Sequence, residues 1–182
     1  MDMYKERIQH IVDNHEIAFF TGMCYGGEQA LYLAHCLYKD KEHKPIVVCL
    51  DGEVDRDNDR AKNPTIYFPF FSKAYNQHRS DQDFLLVDTT PDFLYQGKIA
   101  SMVCSEFIDC YSYLDPNPSE YKIECIKEFL RTAPTRWKRR YPDCQLIMFP
   151  THHDAFWRSE PSLTMIQECF YNLYNDSKSN NK

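Results

Sequence analysis

The distribution of glycine is the sequence feature that most constrains the fold of this chain. There are only 5 glycines among 182 residues, and three of them, Gly22, Gly26 and Gly27, fall within six consecutive positions. Glycine permits positive φ angles and the close approach of two backbone segments. A chain this poor in glycine is expected to use it where other side chains do not fit. We therefore predict an unusually tight turn around residue 24.

The apolar pattern on either side of this turn is typical of an α/β domain. Strand-length apolar runs lie at 17–20, 46–50, 65–68, 83–87 and 145–149, and helical periodicity covers 3–14, 28–38, 99–113, 120–140 and 162–174. Because strand runs alternate with helical runs, the pattern predicts a largely parallel sheet flanked by helices. We expect a single α/β domain over residues 1–182, ending in a flexible polar tail at 175–182.

Composition and charge argue against several classes of protein. No apolar run reaches the roughly 18–20 residues of a membrane span, so no membrane partner is expected. The 27 acidic residues outnumber the 21 basic ones, which disfavours nucleic acid as a partner. The 8 cysteines form no CxxC pair, and the first residues lack the apolar core of an export signal. We therefore expect reduced thiols in the cytoplasm, with no metal and no cofactor.

Reactive side chains directly follow the predicted strands. Cys24 follows the first strand, Asp51 the second, Asp88 a later one, and the segment 151–154 (THHD) the last. Carboxyl ends of parallel strands share one edge of a sheet, and functional groups of α/β domains collect there. The pattern predicts that a cysteine, acids and histidines lie along one edge.

The order strand, G-x-C-x-G-G and helix has the form of a nucleophile elbow, with cysteine in the place that serine usually holds. Such a turn requires small residues at Gly22 and Gly26, because larger side chains would collide with the following helix. Cys24 would project above the sheet at a helix N-terminus, which favours the thiolate. The backbone amide of Tyr25 would be available as an oxyanion donor.

Two segments of the chain resemble α/β-hydrolase thioesterase domains. Residues 17–52 resemble the elbow, the helix and the next strand of that family, and residues 142–174 resemble its last strand, histidine loop and final helix. The resemblance implies that residues 53–140, approximately, contain a lid insertion and one more strand. It also implies a thioesterase-like acyl hydrolase or acyltransferase, acting on an acyl thioester or an acyl carrier protein.

The same resemblance implies a Cys-His-Asp triad. Cys24 is the nucleophile and Asp51, at the end of the strand after the elbow helix, is the acid. His153 is the base, because an aromatic residue, Phe156, follows it by three positions and a proline comes shortly after. His152 is the second choice. This order of nucleophile, acid and histidine is the one expected of the fold.

The chain departs from the family at its start. Only 16 residues precede the apolar run at 17–20, where the family has several strands. We therefore expect either a fragment or a sheet that is completed by a second chain or by a homodimer.

Other interpretations remain open. Asp88 and Asp92 are alternative acids. A transglutaminase- or papain-like enzyme would combine Cys24 with His78 and Asp88. A catalytically inactive, hydrolase-like interaction module is a third possibility. The basic run at 136–140 (RWKRR) is a candidate docking surface for an acidic carrier.

Overall fold

The computed structural model describes residues 2–52, 54, 93–105, 120–152, 155, 156, 158 and 160–179. Within them lie eight elements: α1 (Asp2–Asn14), β1 (Phe19–Met23), α2 (Tyr25–Tyr38), β2 (Ile46–Leu50), β3 (Ile99–Cys104), α3 (Glu120–Arg140), β4 (Gln145–Phe149) and α4 (Glu160–Ser179). The predicted strands at 65–68 and 83–87 lie outside the described residues, as does most of the proposed lid.

The four strands form one parallel sheet in the order β1-β2-β3-β4. The prediction of an α/β fold with a largely parallel sheet is therefore confirmed. Since all four strands run in the same direction, the turns that follow β1, β2, β3 and β4 lie at the same edge of the sheet. The inner strand β2 is buried at every position, as expected for a strand covered on both faces.

Most predicted elements agree with the structure to within a few residues. Strand β1 begins at Phe19, two residues later than its apolar run, and extends through Gly22 to Met23. Helix α2 begins at Tyr25, directly after the predicted turn, and includes Gly26 and Gly27.

The prediction of a helix from residue 99 is wrong, because Ile99–Cys104 is strand β3. All six of its residues are buried between β2 and β4. A short apolar run of this kind does not distinguish a buried strand from a buried helix by periodicity. Here the segment is a strand because it pairs with β2 on one side and with β4 on the other.

Side chains alternate between the two faces of the sheet and form two cores. On one face, Val47 and Cys49 of β2 and Ile99 of β3 pack with α2 and with Trp137 of α3. On the other face, the core comprises residues of β2, β3 and α4 together with Phe149 and Phe156: Ile46, Val48, Leu50, Ala100, Met102, Cys104, Ile166, Cys169 and Leu173. Helix α1 packs against α2 in a third, smaller cluster.

Candidate functional site

Cys24 lies in the turn between β1 and α2 and has an unusual backbone conformation. Its φ is 52° and its ψ is −124°, and it is one of two non-glycine residues with positive φ among those described. Positive φ is uncommon in residues other than glycine, and strained residues of this kind cost on the order of 1–3 kcal/mol. Two backbone hydrogen bonds hold the turn: Cys24 N donates to Leu50 O (2.8 Å), and Gly27 N donates to Cys24 O (3.0 Å). The tight turn predicted from the glycines is therefore present.

The glycines around Cys24 do not contribute equally to the turn. A Cβ atom on Gly22 would lie 2.0 Å from the carbonyl oxygen of Gly26, so no side chain fits there. A Cβ on Gly27 would lie 3.2 Å from Cβ of Cys49, where the helix approaches β2 closely. A Cβ on Gly26 would meet no atom within 4 Å. The steric requirement therefore falls on Gly22 and, more weakly, on Gly27, and the predicted requirement at Gly26 is wrong.

Asp51 occupies the matching position at the end of the neighbouring strand. It follows Leu50, which pairs with Met23, so Asp51 and Cys24 each come one residue after a paired position. Asp51 also has a positive φ, of 47°. Its N–H donates to Met102 O (2.7 Å), and its Oδ1 accepts a hydrogen bond from Cys104 N (2.9 Å). The end of β3 thus fixes both the backbone and the carboxylate of Asp51.

Gly52 connects the Asp51 turn to the Cys24 turn. A Cβ atom on Gly52 would lie 3.1 Å from the carbonyl oxygen of Cys24, so the two turns are in close backbone contact. The carbonyl of Gly52 accepts a hydrogen bond from Nε1 of Trp137 at 3.1 Å. Trp137 is fully buried and is 85 positions away in sequence. Sequence reasoning missed it, because an aromatic residue on an amphipathic helix carries no signal of such a contact.

The histidine segment follows β4 at the same edge of the sheet. His152 is partly exposed, and its Nδ1 is buried with no hydrogen-bond partner within the described part of the chain. Phe156 is fully buried and packs on Phe149, with ring centroids 4.7 Å apart. This contact anchors the segment to the sheet. His153 lies outside the described residues.

The order of the strands determines the distance between the histidine segment and Cys24. Strand β4 is three strands away from β1. At about 4.8 Å per strand spacing, the ends of β1 and β4 are roughly 14 Å apart. To reach Cys24, a histidine after β4 would have to lie in a loop that extends back over β3 and β2.

The other cysteines differ from Cys24 in burial or in backbone setting. Of the cysteines in the described residues, four are buried: Cys49, Cys104, Cys144 and Cys169. Burial raises the pKa of the Cys49 thiol well above its ordinary value, that of Cys144 to about 12 and that of Cys169 to about 11. Thiols with raised pKa values react slowly, since the thiolate is the nucleophile. Cys36 is partly exposed like Cys24, but it lies inside α2.

Some sequence predictions fall outside the described residues or acquire a different role. The alternative site residues Asp88, Asp92 and His78 are among those not described, and the side chain of Tyr25 is not described either. Within the basic run, Arg136 is buried and donates to Thr132 Oγ1 (2.6 Å). Lys138 donates to the carbonyls of the α3–β4 turn, and Arg140 donates to Phe93 O. These cations support the fold, which weakens the interpretation of the run as a docking surface.

A cavity of about 290 Å³ lies at the opposite end of the sheet from Cys24. Its lining comes from the segments that precede β3 and β4, including Tyr95, Ile99, Arg140 and Tyr141. It is therefore separate from the candidate site.

The described residues contain no group of three or more histidine, cysteine, aspartate or glutamate side chains arranged to hold a metal ion. No helix among them is both long enough and apolar enough to cross a membrane.

Comparison with known proteins finds no protein-family model that matches this chain and no matching curated protein.

Proposed function

We propose that this chain is a thioesterase-like acyl hydrolase or acyltransferase with Cys24 as its nucleophile. The observation that carries the proposal is the backbone of Cys24, which has a positive φ at the turn between a strand and a helix. This turn leaves no room for a side chain at Gly22. Strained backbone conformations persist only where the surrounding structure imposes them, and they cluster at functional sites. A buried structural thiol would not require such a turn.

The proposed reaction begins with attack by the Cys24 thiolate on the carbonyl carbon of an acyl thioester. His153 accepts the thiol proton as general base, and a backbone N–H at the start of α2, that of Tyr25, donates to the developing oxyanion. The intermediate collapses with cleavage of the substrate carbon–sulfur bond. The departing thiolate takes the proton from His153, and the acyl group remains on Cys24.

The second half of the reaction regenerates the free enzyme. Water or an acceptor nucleophile, deprotonated by His153, attacks the acyl carbon. The bond to Cys24 Sγ breaks, and the thiol recovers its proton from the imidazolium. Whether the acceptor is water or another molecule distinguishes a hydrolase from an acyltransferase, and the chemistry at Cys24 is the same in both.

Asp51 is the acid in this proposal. An acid that orients a catalytic histidine must itself be held in one orientation. The hydrogen bond from Cys104 N to Asp51 Oδ1 supplies this restraint, and the position of Asp51 after the strand adjacent to β1 supports its role. His152, at the same edge, is the alternative base.

The experiment is acyl transfer to the protein from a small activated thioester, such as a series of acyl N-acetylcysteamine thioesters, followed by mass spectrometry of the intact chain and its peptides. We expect one acyl group on the peptide that contains Cys24, and none in Cys24→Ala. Cys36→Ala is the matched control, because Cys36 is exposed to a similar degree but lies within α2. Acylation of another cysteine, or none with any acyl chain length, would contradict the proposal.

A second candidate function is a hydrolase-like interaction module without activity. The observation that favours it is the outer edge of β1, which pairs only with β2 among the described residues. Such an edge is a template for pairing with another strand. The transglutaminase-like alternative rests on His78 and Asp88, and it leaves strand β1 and its entry into the turn unexplained.

A further inference from the structure

We propose that Trp137 is a positioning residue for Asp51, and that α3 thereby controls the reactivity of Cys24. This inference rests on the proposed function of the same site. It adds a residue that touches neither the substrate nor the reacting atoms and acts through the Asp51–Gly52 turn.

The contact between Trp137 and Gly52 is specific. The indole is fully buried in the core between the sheet and helices α2 and α3, and its only donor, Nε1, bonds to Gly52 O at 3.1 Å. A buried indole N–H requires an acceptor. In this core its acceptor is the backbone carbonyl of the residue next to Asp51.

The Asp51–Gly52 turn is held from three directions. Strand β3 contributes Met102 O and Cys104 N, which bond to the N–H and the carboxylate of Asp51. Helix α3 contributes Trp137 at Gly52 O. The Cys24 turn lies against Gly52, so closely that a methyl group there would be 3.1 Å from Cys24 O.

The positive φ of Asp51 makes this restraint necessary. A non-glycine residue keeps such a backbone conformation only while neighbouring contacts enforce it. Without the hydrogen bond from Trp137, we expect the turn to relax. The Asp51 carboxylate would then leave the position from which it orients the histidine, and Cys24 would react more slowly with an electrophile.

The test is the pH–rate profile of Cys24 alkylation by iodoacetamide, a readout that needs no knowledge of the substrate. The variant is Trp137→Phe, which removes the donor and keeps an aromatic ring. We expect alkylation of Cys24 at neutral pH to slow by about threefold to tenfold, the effect of losing one buried hydrogen bond, with the profile displaced to higher pH. Asp51→Asn should displace the profile in the same direction.

Tyr95→Phe is the matched control. Tyr95 belongs to the same core cluster, is also buried, and donates its hydroxyl to the backbone carbonyl of Pro45, next to the start of β2. Its loss should lower the urea midpoint much as Trp137→Phe does, and should leave the alkylation profile unchanged. A displacement in both variants would show general loosening of the core and would overturn the positioning role.

The remaining outcomes separate the inference from the proposed function. If Asp51→Asn displaces the profile and Trp137→Phe does not, Trp137 is merely structural, while the proposed function stands. If Asp51→Asn has no effect, the triad assignment fails, and the positioning role fails with it. Should Trp137→Phe not fold, benzothienylalanine inserted at position 137 by nonsense suppression replaces only the N–H by sulfur, and the same outcomes apply.

Discussion

At the scale of single residues, Cys24 and Asp51 share one property that no other described non-glycine residue has. Both have positive φ, and each directly follows one of two adjacent parallel strands. Two strained residues at adjacent strand ends are unlike the relaxed turns that connect most elements. Each strained residue makes folding less favourable, so we expect function rather than stability to be the reason for the strain.

Asp51→Asn tests the acid at this scale. Asparagine keeps an oxygen that can accept the hydrogen bond from Cys104 N, so the fold should survive. The uncharged amide cannot stabilise a histidine imidazolium. Turnover of an acyl thioester should therefore fall by about 10⁴-fold, as when other acids that set the tautomer of a catalytic histidine are replaced by asparagine. The measurement is steady-state release of the free thiol. Wild-type turnover in Asp51→Asn, combined with loss in Asp88→Asn or Asp92→Asn, would assign the acid to the other segment.

At the scale of elements, the junction of β1 and α2 depends on one glycine more than on the others. Gly22→Ala would bring Cβ to 2.0 Å from Gly26 O, a contact with backbone that no rotamer change can relieve. We expect destabilisation of about 3 kcal/mol or more, at or beyond the upper end for overpacking. Urea unfolding monitored by circular dichroism measures this change.

Gly26→Ala is the control for this element. Gly26 lies in the first turn of α2 and its φ is not positive. The methyl group of an alanine there would meet no atom within 4 Å. Alanine is favoured over glycine inside helices, so stability should rise by about 0.5–1 kcal/mol. Equal losses in the two variants would contradict the steric account of the turn.

At the scale of the whole molecule, the outer edge of β1 is the feature that bears on association with other chains. Ala18 O and Cys24 N bond to β2, and backbone groups alternate along a parallel strand. The N–H and C=O groups of Phe19 and Thr21 therefore point away from β2. No other strand in the described part of the chain pairs with them.

We expect this edge to pair with a second chain, so the purified protein should sediment as a dimer or larger species. Thr21→Pro removes one outward N–H and should weaken the association. Thr21→Val is its control, because it removes only the hydroxyl that bonds to Val48 O. A single monomeric species at every concentration tested would contradict this expectation.

The sequence by itself determined the class of the fold and the place of the unusual turn. Apolar runs separated by amphipathic segments predicted β1, β2 and β4 with the helices around them, because burial on both faces of a parallel sheet imposes continuous apolar runs. The glycines predicted the Cys24 turn, because a close approach of two backbone segments leaves no room for a side chain. These are local properties, which depend on residues close together in the chain.

Tertiary structure decided what depends on distant partners. The segment from Ile99 is a strand because β2 and β4 pair with it on both sides. Arg136, in the basic run that the sequence offered as a docking surface, is buried. Trp137 bonds to a carbonyl 85 positions away, next to the candidate acid. The hydrogen-bond partners of a residue and its burial depend on which elements pack together. The periodicity of the sequence does not specify this packing.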